Sequence, residues 1–399
     1  MDRLECDQDN LRAALLWAQV YDVDMMLRLV AALSWFWITR GSLSEGRTWA
    51  ESALAAAGWC KPDLPIPPVA VALAGALASL GRLLFHQGEC AAAPPVLDAA
   101  AAQFTQLGMP RDAVLMRRFS ATALAIHGDI ATASGIFAAT LPVLIAIDDP
   151  TTRALAAAQQ GFAALHHGDD MVAQQCLMQA CADARAGGNL NLLAINLVHL
   201  GMAQLRLGDQ HAAAACFTEA NEAALNLKDR SLIGMARNNL GELARVRGDY
   251  PVAAEHYRAS LRLLQDTDRR ADLPRLFHNL GYVALRGGDT ASALDQFVRS
   301  LDLFYPNNPR GVAEALDGLA SVATVRGAPL TAARLWGATT TERGHSQTTA
   351  WLPDQIEHAH YAALACSACD PAMFAAAWAA GQALSLQQAV AEARALEPL

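Results

Sequence analysis

The sequence predicts an all-α protein, a right-handed α-α superhelix of stacked helical hairpins that repeat about every 40 residues. Three observations predict it. Small residues recur in one register: Gly81, Ala121, Gly161, Gly201, Gly241, Gly281 and Ser321. A glycine followed by an acid recurs in a second: Gly88-Glu89, Gly128-Asp129, Gly168-Asp169, Gly208-Asp209, Gly248-Asp249 and Gly288-Asp289. An alanine and then a large apolar or aromatic residue follow each glycine at fixed offsets. The alanines run from Ala93 to Ala293; the large residues are Leu97, Phe137, Leu177, Phe217, Tyr257 and Phe297. A shortened copy reads Gly327, Ala332, Trp336.

Each column has a physical task. Gly248 is expected to end a helix, because glycine enters the left-handed conformation without steric cost. Asp249 then caps the next helix, and Pro251 falls in its first turn, where no N–H is missed. Gly241 and Ala253 are small so that the two helices approach closely, with Tyr257 filling the space behind them. A lone helix pair cannot bury its apolar side, but stacked pairs can.

In chain order, residues 1–57 form an N-terminal helical cap. Residues 58–68, "GWCKPDLPIPP", are a proline-rich joint that cannot be helical throughout. Residues 69–343 are six to seven repeats, separated by polar turns such as "QDTDRRAD" and "YPNNPR". Residues 344–399 close the array with helices between Pro353 and Leu396, since a terminal repeat needs a polar outer face.

Bulk numbers exclude several classes. The chain has 399 residues, 53% hydrophobic and 17% charged, with a net charge of −9. That balance, with no basic run, argues against direct nucleic-acid binding. The first residues, "MDRLECDQDNLRAALLWA", do not read as a signal peptide. The uncharged runs 64–81 and 130–147 fall inside the repeat pattern and are expected to be buried helices rather than membrane spans. Eight scattered cysteines fit reduced thiols in a cytoplasm.

The motif "NNLGELARVRGDYPVAAEHY" resembles a tetratricopeptide repeat, with Leu240-Gly241, Tyr250, Ala253 and Tyr257 in order. Its period is longer than the usual 34 residues or so. The opening "DRLECDQDNLRAALLWA", with "LRLVAALSWFWITRGSLSEGRTWAESAL", resembles the start of the repeat region in bacterial signal-transduction ATPase regulators of the LuxR type and their AfsR-like and maltose-activator-like relatives. "AARLWGATTTERG" and "FAAAWAAGQALSLQQAVAEA" are similar to its end. This resemblance implies the sensing region of a transcriptional regulator. The sequence contains no G-x-x-x-x-G-K-[ST] phosphate loop and no basic recognition helix.

Resemblance to tetratricopeptide repeats also implies that the first helix of each hairpin lines a concave groove. Helical stepping puts Met235, Asn238, Glu242 and Arg245 on the side opposite Ala236, Leu240 and Ala244. Asn239 and Asn279 match the asparagine of the N-L-G motif, which in peptide-binding relatives pairs with the ligand backbone; an amide both donates and accepts. His199 takes that column one unit earlier. The groove is expected to be apolar around Phe162, Leu165, Val198 and Met202, and polar around Asn238, Glu242, Arg245, Arg275, His278 and Tyr282. Such a lining suits a peptide, a partner helix or a small effector. Alternatively, the superhelix winds tightly and the groove residues touch one another. A stand-alone interaction scaffold is the second functional reading, and a homodimer is compatible with either.

The run Trp35-Phe36-Trp37 is a candidate interface, because residues about 100° apart on a helix cannot all face one seam. No zinc site is expected from Cys366-x-x-Cys369, which lacks a second ligand pair. No cofactor, metal or catalytic residue is expected: no phosphate cradle, nucleophile–base order or recurring carboxylate pair is present.

Overall fold

The computed structural model describes residues 4, 6–59, 70–147, 149–265, 272–346 and 350–396. Their regular structure is entirely helical, in twenty helices. Three come first: α1 (Gln8–Tyr21), α2 (Val23–Arg40) and α3 (Leu43–Ala56). Seven hairpins follow. They are α4 (Ala70–Gln87) with α5 (Ala93–Gln106), α6 (Pro110–His127) with α7 (Ile130–Ile147), α8 (Pro150–His167) with α9 (Asp170–Ala186), α10 (Leu190–Arg206) with α11 (Gln210–Leu227), α12 (Arg230–Val246) with α13 (Tyr250–Leu264), α14 (Leu273–Arg286) with α15 (Thr290–Phe304), and α16 (Pro309–Val325) with α17 (Pro329–Ser346). The chain closes with α18 (Leu352–Ser367), α19 (Pro371–Gln382) and α20 (Leu386–Arg394). Most of the proline-rich joint, and the centre of the "QDTDRRAD" loop, lie outside the described residues.

Packing divides the chain into two compact units. Unit 1 takes in the described residues up to Thr152, with Asp229–Ser231. Unit 2 takes in Arg153–Lys228, Leu232–Gln265 and residues 272–396.

The hairpin corners form as their residue types dictate. Every glycine of the second series, and Gly327, has a positive φ; Gly248 sits at 77°. There the Asp249 N–H returns to the Ala244 carbonyl at 2.9 Å, closing α12. The Asp249 carboxylate then accepts from the Val252 N–H at 3.2 Å and opens α13. Between the two helices, a Cβ on Gly241 would stand 2.5 Å from a ring carbon of the fully buried Tyr257. A Gly241→Val variant is therefore expected to lose about 1–3 kcal/mol through overpacking, read as a lower midpoint of guanidinium unfolding.

Among the described residues, two helices are long and apolar enough to cross a membrane, Ala70–Gln87 and Ile130–Ile147. The first is mostly buried among its neighbours. The second departs from the expected burial. It buries Ile130, Ala133, Phe137, Thr140 and Leu144, which share one helical face, and leaves Ile145 58% exposed.

Unit 2 ends in a close backbone contact. Gly337 on α17 and Gly381 on α19 face each other so tightly that a Cβ on Gly381 would overlap the Arg334 carbonyl oxygen. A Cβ on Gly337 would likewise overlap the Trp378 carbonyl oxygen.

Candidate functional site

Gly241 spends one side of α12 on Tyr257, so the residues around Asn238, Glu242 and Arg245 turn elsewhere. In unit 2 they meet the matching side of α14, which carries Arg275, His278, Asn279 and Tyr282, and that of α16, which carries Arg310 and Glu314. The polar residues expected to line the groove are thus brought together, but they are not bare. Segment 351–357, at the start of α18, sits on them, a cover that neither reading of the groove, open or tightly wound, included.

Asp354 is the centre of the contact. Its Oδ1 accepts from Arg245 Nη2 at 3.0 Å and stands 3.2 Å from His278 Nε2. Its Oδ2 accepts from Arg275 Nη1 at 2.6 Å. One turn on, Glu357 Oε1 accepts from the Tyr250 hydroxyl at 3.1 Å, and Oε2 accepts from Arg286 Nε at 2.9 Å. Arg245 also donates to Asn279 Oδ1 at 2.7 Å and lies over the Tyr282 ring, 4.8 Å from its centroid. Arg275 reaches Glu242 at 3.0 Å and Glu314 at 3.1 Å. The side chains of Arg245, Asp354 and Glu357 are at most 3% exposed.

Buried charges need such partners, because each has given up its hydration. Burial alone would raise the Asp354 carboxyl; Arg275, then His278 and Arg245, outweigh that and hold it well below the usual carboxylate range. Burial likewise opposes the charge on Arg245, and the Asp354 and Glu357 carboxylates restore it.

The apolar end is read by Leu352 and Trp351. Leu352 packs against the buried cluster of Leu205, Ala213, Phe217 and Leu243 from the preceding hairpins, as do Met202 and Leu240. The Arg310 guanidinium lies 4.8 Å from the Trp351 ring centroid, and His166 lies 6.5 Å from it. Arg310 Nη1 stands 3.3 Å from His166 Nδ1, which can accept only while unprotonated. Burial, then Arg310, push this imidazole down to about 3. The unfolded chain takes up the proton near pH 6.5 and the folded chain does not. Stability is therefore expected to fall as pH drops from about 6.5 toward 3, and His166→Gln is expected to flatten that slope in urea midpoints taken at stepped pH.

The other expected residues fall as follows. Phe162 is half-buried, its ring 4.4 Å from His166 and 5.3 Å from His199. Leu165 and Val198 are buried, and Met202 is half-buried against the same apolar cluster that Leu352 meets. Asn239 donates to the Met235 carbonyl of its own helix at 2.9 Å, whereas Asn279 donates to Asn238 Oδ1 at 2.9 Å. In unit 1, Trp35 is 42% exposed while Phe36 and Trp37 are buried. Trp37 lies flat against Gly46, whose added Cβ would come within 2.8 Å of its ring. Sequence reasoning missed segment 351–357, although Asp354 and Glu357, three apart on a closing helix, share a face.

Comparisons place the fold. The tetratricopeptide repeat family model matches residues 232–305. A search of curated protein sequences gives no match. Among solved structures, a Rap protein complexed with competence and sporulation factor aligns with TM-score 0.57 and 14% identity, over 74% of this chain and 84% of that one. The anaphase-promoting complex hetero-tetramer Cut9–Hcn1 aligns with TM-score 0.55 and 16% identity, over 91% of this chain and 59% of that one. At such identities the likeness is one of fold. The expected class, an all-α stack of tetratricopeptide-like hairpins, is the observed one.

Proposed function

We propose that this chain is the ligand- or protein-sensing tetratricopeptide region of a bacterial transcriptional regulator, and that unit 2 takes a peptide or partner helix on the faces of its first helices. One observation carries the reading: those faces already hold a helical segment, through charge-assisted hydrogen bonds and an apolar pocket, as helix-in-groove recognition requires. The two aligned structures are themselves complexes with a second molecule. The regulatory context rests on the sequence resemblance at both ends of the chain. Mechanistically, a partner that prefers one arrangement of the hairpins shifts the population toward it and passes that bias to whatever module is attached.

Selecting short random peptides on the whole chain tests the reading. Expected are enriched peptides whose binding weakens when Met202→Lys or Asn238→Lys is introduced. Failure to enrich any peptide sensitive to these changes would overturn it.

A further inference from the structure

The identity of the segment on this face narrows the chemistry of the partner. Four guanidiniums converge there, Arg245, Arg275, Arg286 and Arg310, beside a fifth, Arg343, that is neutralised by Asp317. The four are matched by four carboxylates, Glu242, Glu314, Asp354 and Glu357. Two of the four carboxylates come from α18. Without them the face keeps four cations against two anions and needs two more negative charges, about one helical turn apart.

The way α18 is held differs along its length. Its second half is anchored by Tyr361 and Ala365, buried among Trp336, Ala389 and Val390. Its first half reaches α12, α13 and α14 through side-chain to side-chain bonds, all made by Asp354 and Glu357. Ile356, by contrast, is left 38% exposed. Beyond Leu352, the face that α18 turns inward here is therefore chosen by charge. Pairs of this kind return little net stability once desolvation is counted, while fixing register closely. An incoming segment with the same groups would remake every bond it breaks.

Resting on the sensing role proposed above, we infer that segment 351–357 is an internal pseudo-ligand. The outside partner is a peptide or helix with an aromatic–apolar pair followed by two carboxylates one turn apart. It competes with the first half of α18, while Tyr361 and Ala365 keep the second half in place. An occupied site lowers apparent affinity by the fraction of molecules in which it is open.

The probe is a fluorescein-labelled synthetic peptide of residues 350–359, titrated against the whole chain. Trp351→Ala with Leu352→Ala loosens the resident segment without stranding a buried charge. The peptide is expected to bind this double variant at least about tenfold more tightly than wild type, and the same peptide with Asp354→Asn and Glu357→Gln is expected to lose that binding. Equal binding to the folded variant and wild type would overturn the inference. Hydrogen exchange on the unaltered chain gives an answer even if the variant misfolds. Saturating peptide should speed exchange of the amides at 355–360 and leave those at 316–323 in α16 unchanged; no change at 355–360 would also overturn the inference. If the probe fails while random peptides sensitive to Met202→Lys are still enriched, the pseudo-ligand is wrong and the sensing role stands.

Discussion

Replacing Asp354 with alanine is expected to destabilise unit 2 by about 3–5 kcal/mol, the cost of breaking a buried ion pair from one side. The carboxylate bonds Arg245, whose side chain is 1% exposed, and Arg275, whose side chain is 17% exposed, so water at most reaches the second to recover part of the loss. Guanidinium unfolding followed by circular dichroism measures it as a lowered midpoint. The effect carries a pH signature. The Asp354 carboxyl is held below its ordinary range, so its contribution is complete above the unfolded value of about 3.9 and is lost as pH falls below it through the folded value. The wild-type chain should therefore lose stability steeply below about pH 4, and the alanine variant should lose less over the same range.

Gly381→Val is expected to cost about 3 kcal/mol or more, at the upper end of overpacking penalties. At Gly241 the obstacle is a side chain, but at Gly381 it is the backbone carbonyl of Arg334, with Gly337 and Trp378 in the reciprocal contact. No rotamer change relieves backbone against backbone, so α17 and α19 must part, taking Trp336 and its neighbours out of the core. Gly135 on α7 is the control, because an added Cβ there meets nothing within 4 Å. Gly135→Ala should be neutral, or stabilising by up to about 1 kcal/mol through helix propensity.

The hairpins were legible because their signals are local and repeated. A glycine that must adopt a positive φ, an acid that must cap, and a small residue beneath a large ring recur in one register, and each is decided within a single hairpin. Helical periodicity likewise required at least one ring of Trp35-Phe36-Trp37 to leave the seam, without saying which; Trp35 is the exposed one. The seating of α18 has no such signal. Arg245 and Asp354 are 109 residues apart, and nothing periodic links them. Glu242, Arg245, His278 and Tyr282 could be grouped from their columns, but the carboxylates that complete the group lie beyond the repeats. The same limit explains Asn239 and Asn279. They share a motif position, yet one bonds its own helix and the other joins the charge network, because an arginine stands within 2.7 Å of Asn279.

The contact between α18 and the first helices of unit 2 is tested most directly by a double-mutant cycle on Arg275→Met and Asp354→Ala. Unfolding free energies of the wild-type chain, both single variants and the double variant give the coupling between the two side chains. Seating of Asp354 on Arg275 predicts a coupling above about 1 kcal/mol, with the double variant more stable than the sum of the single losses implies. Strict additivity would mean that the two side chains do not meet, and would contradict the account.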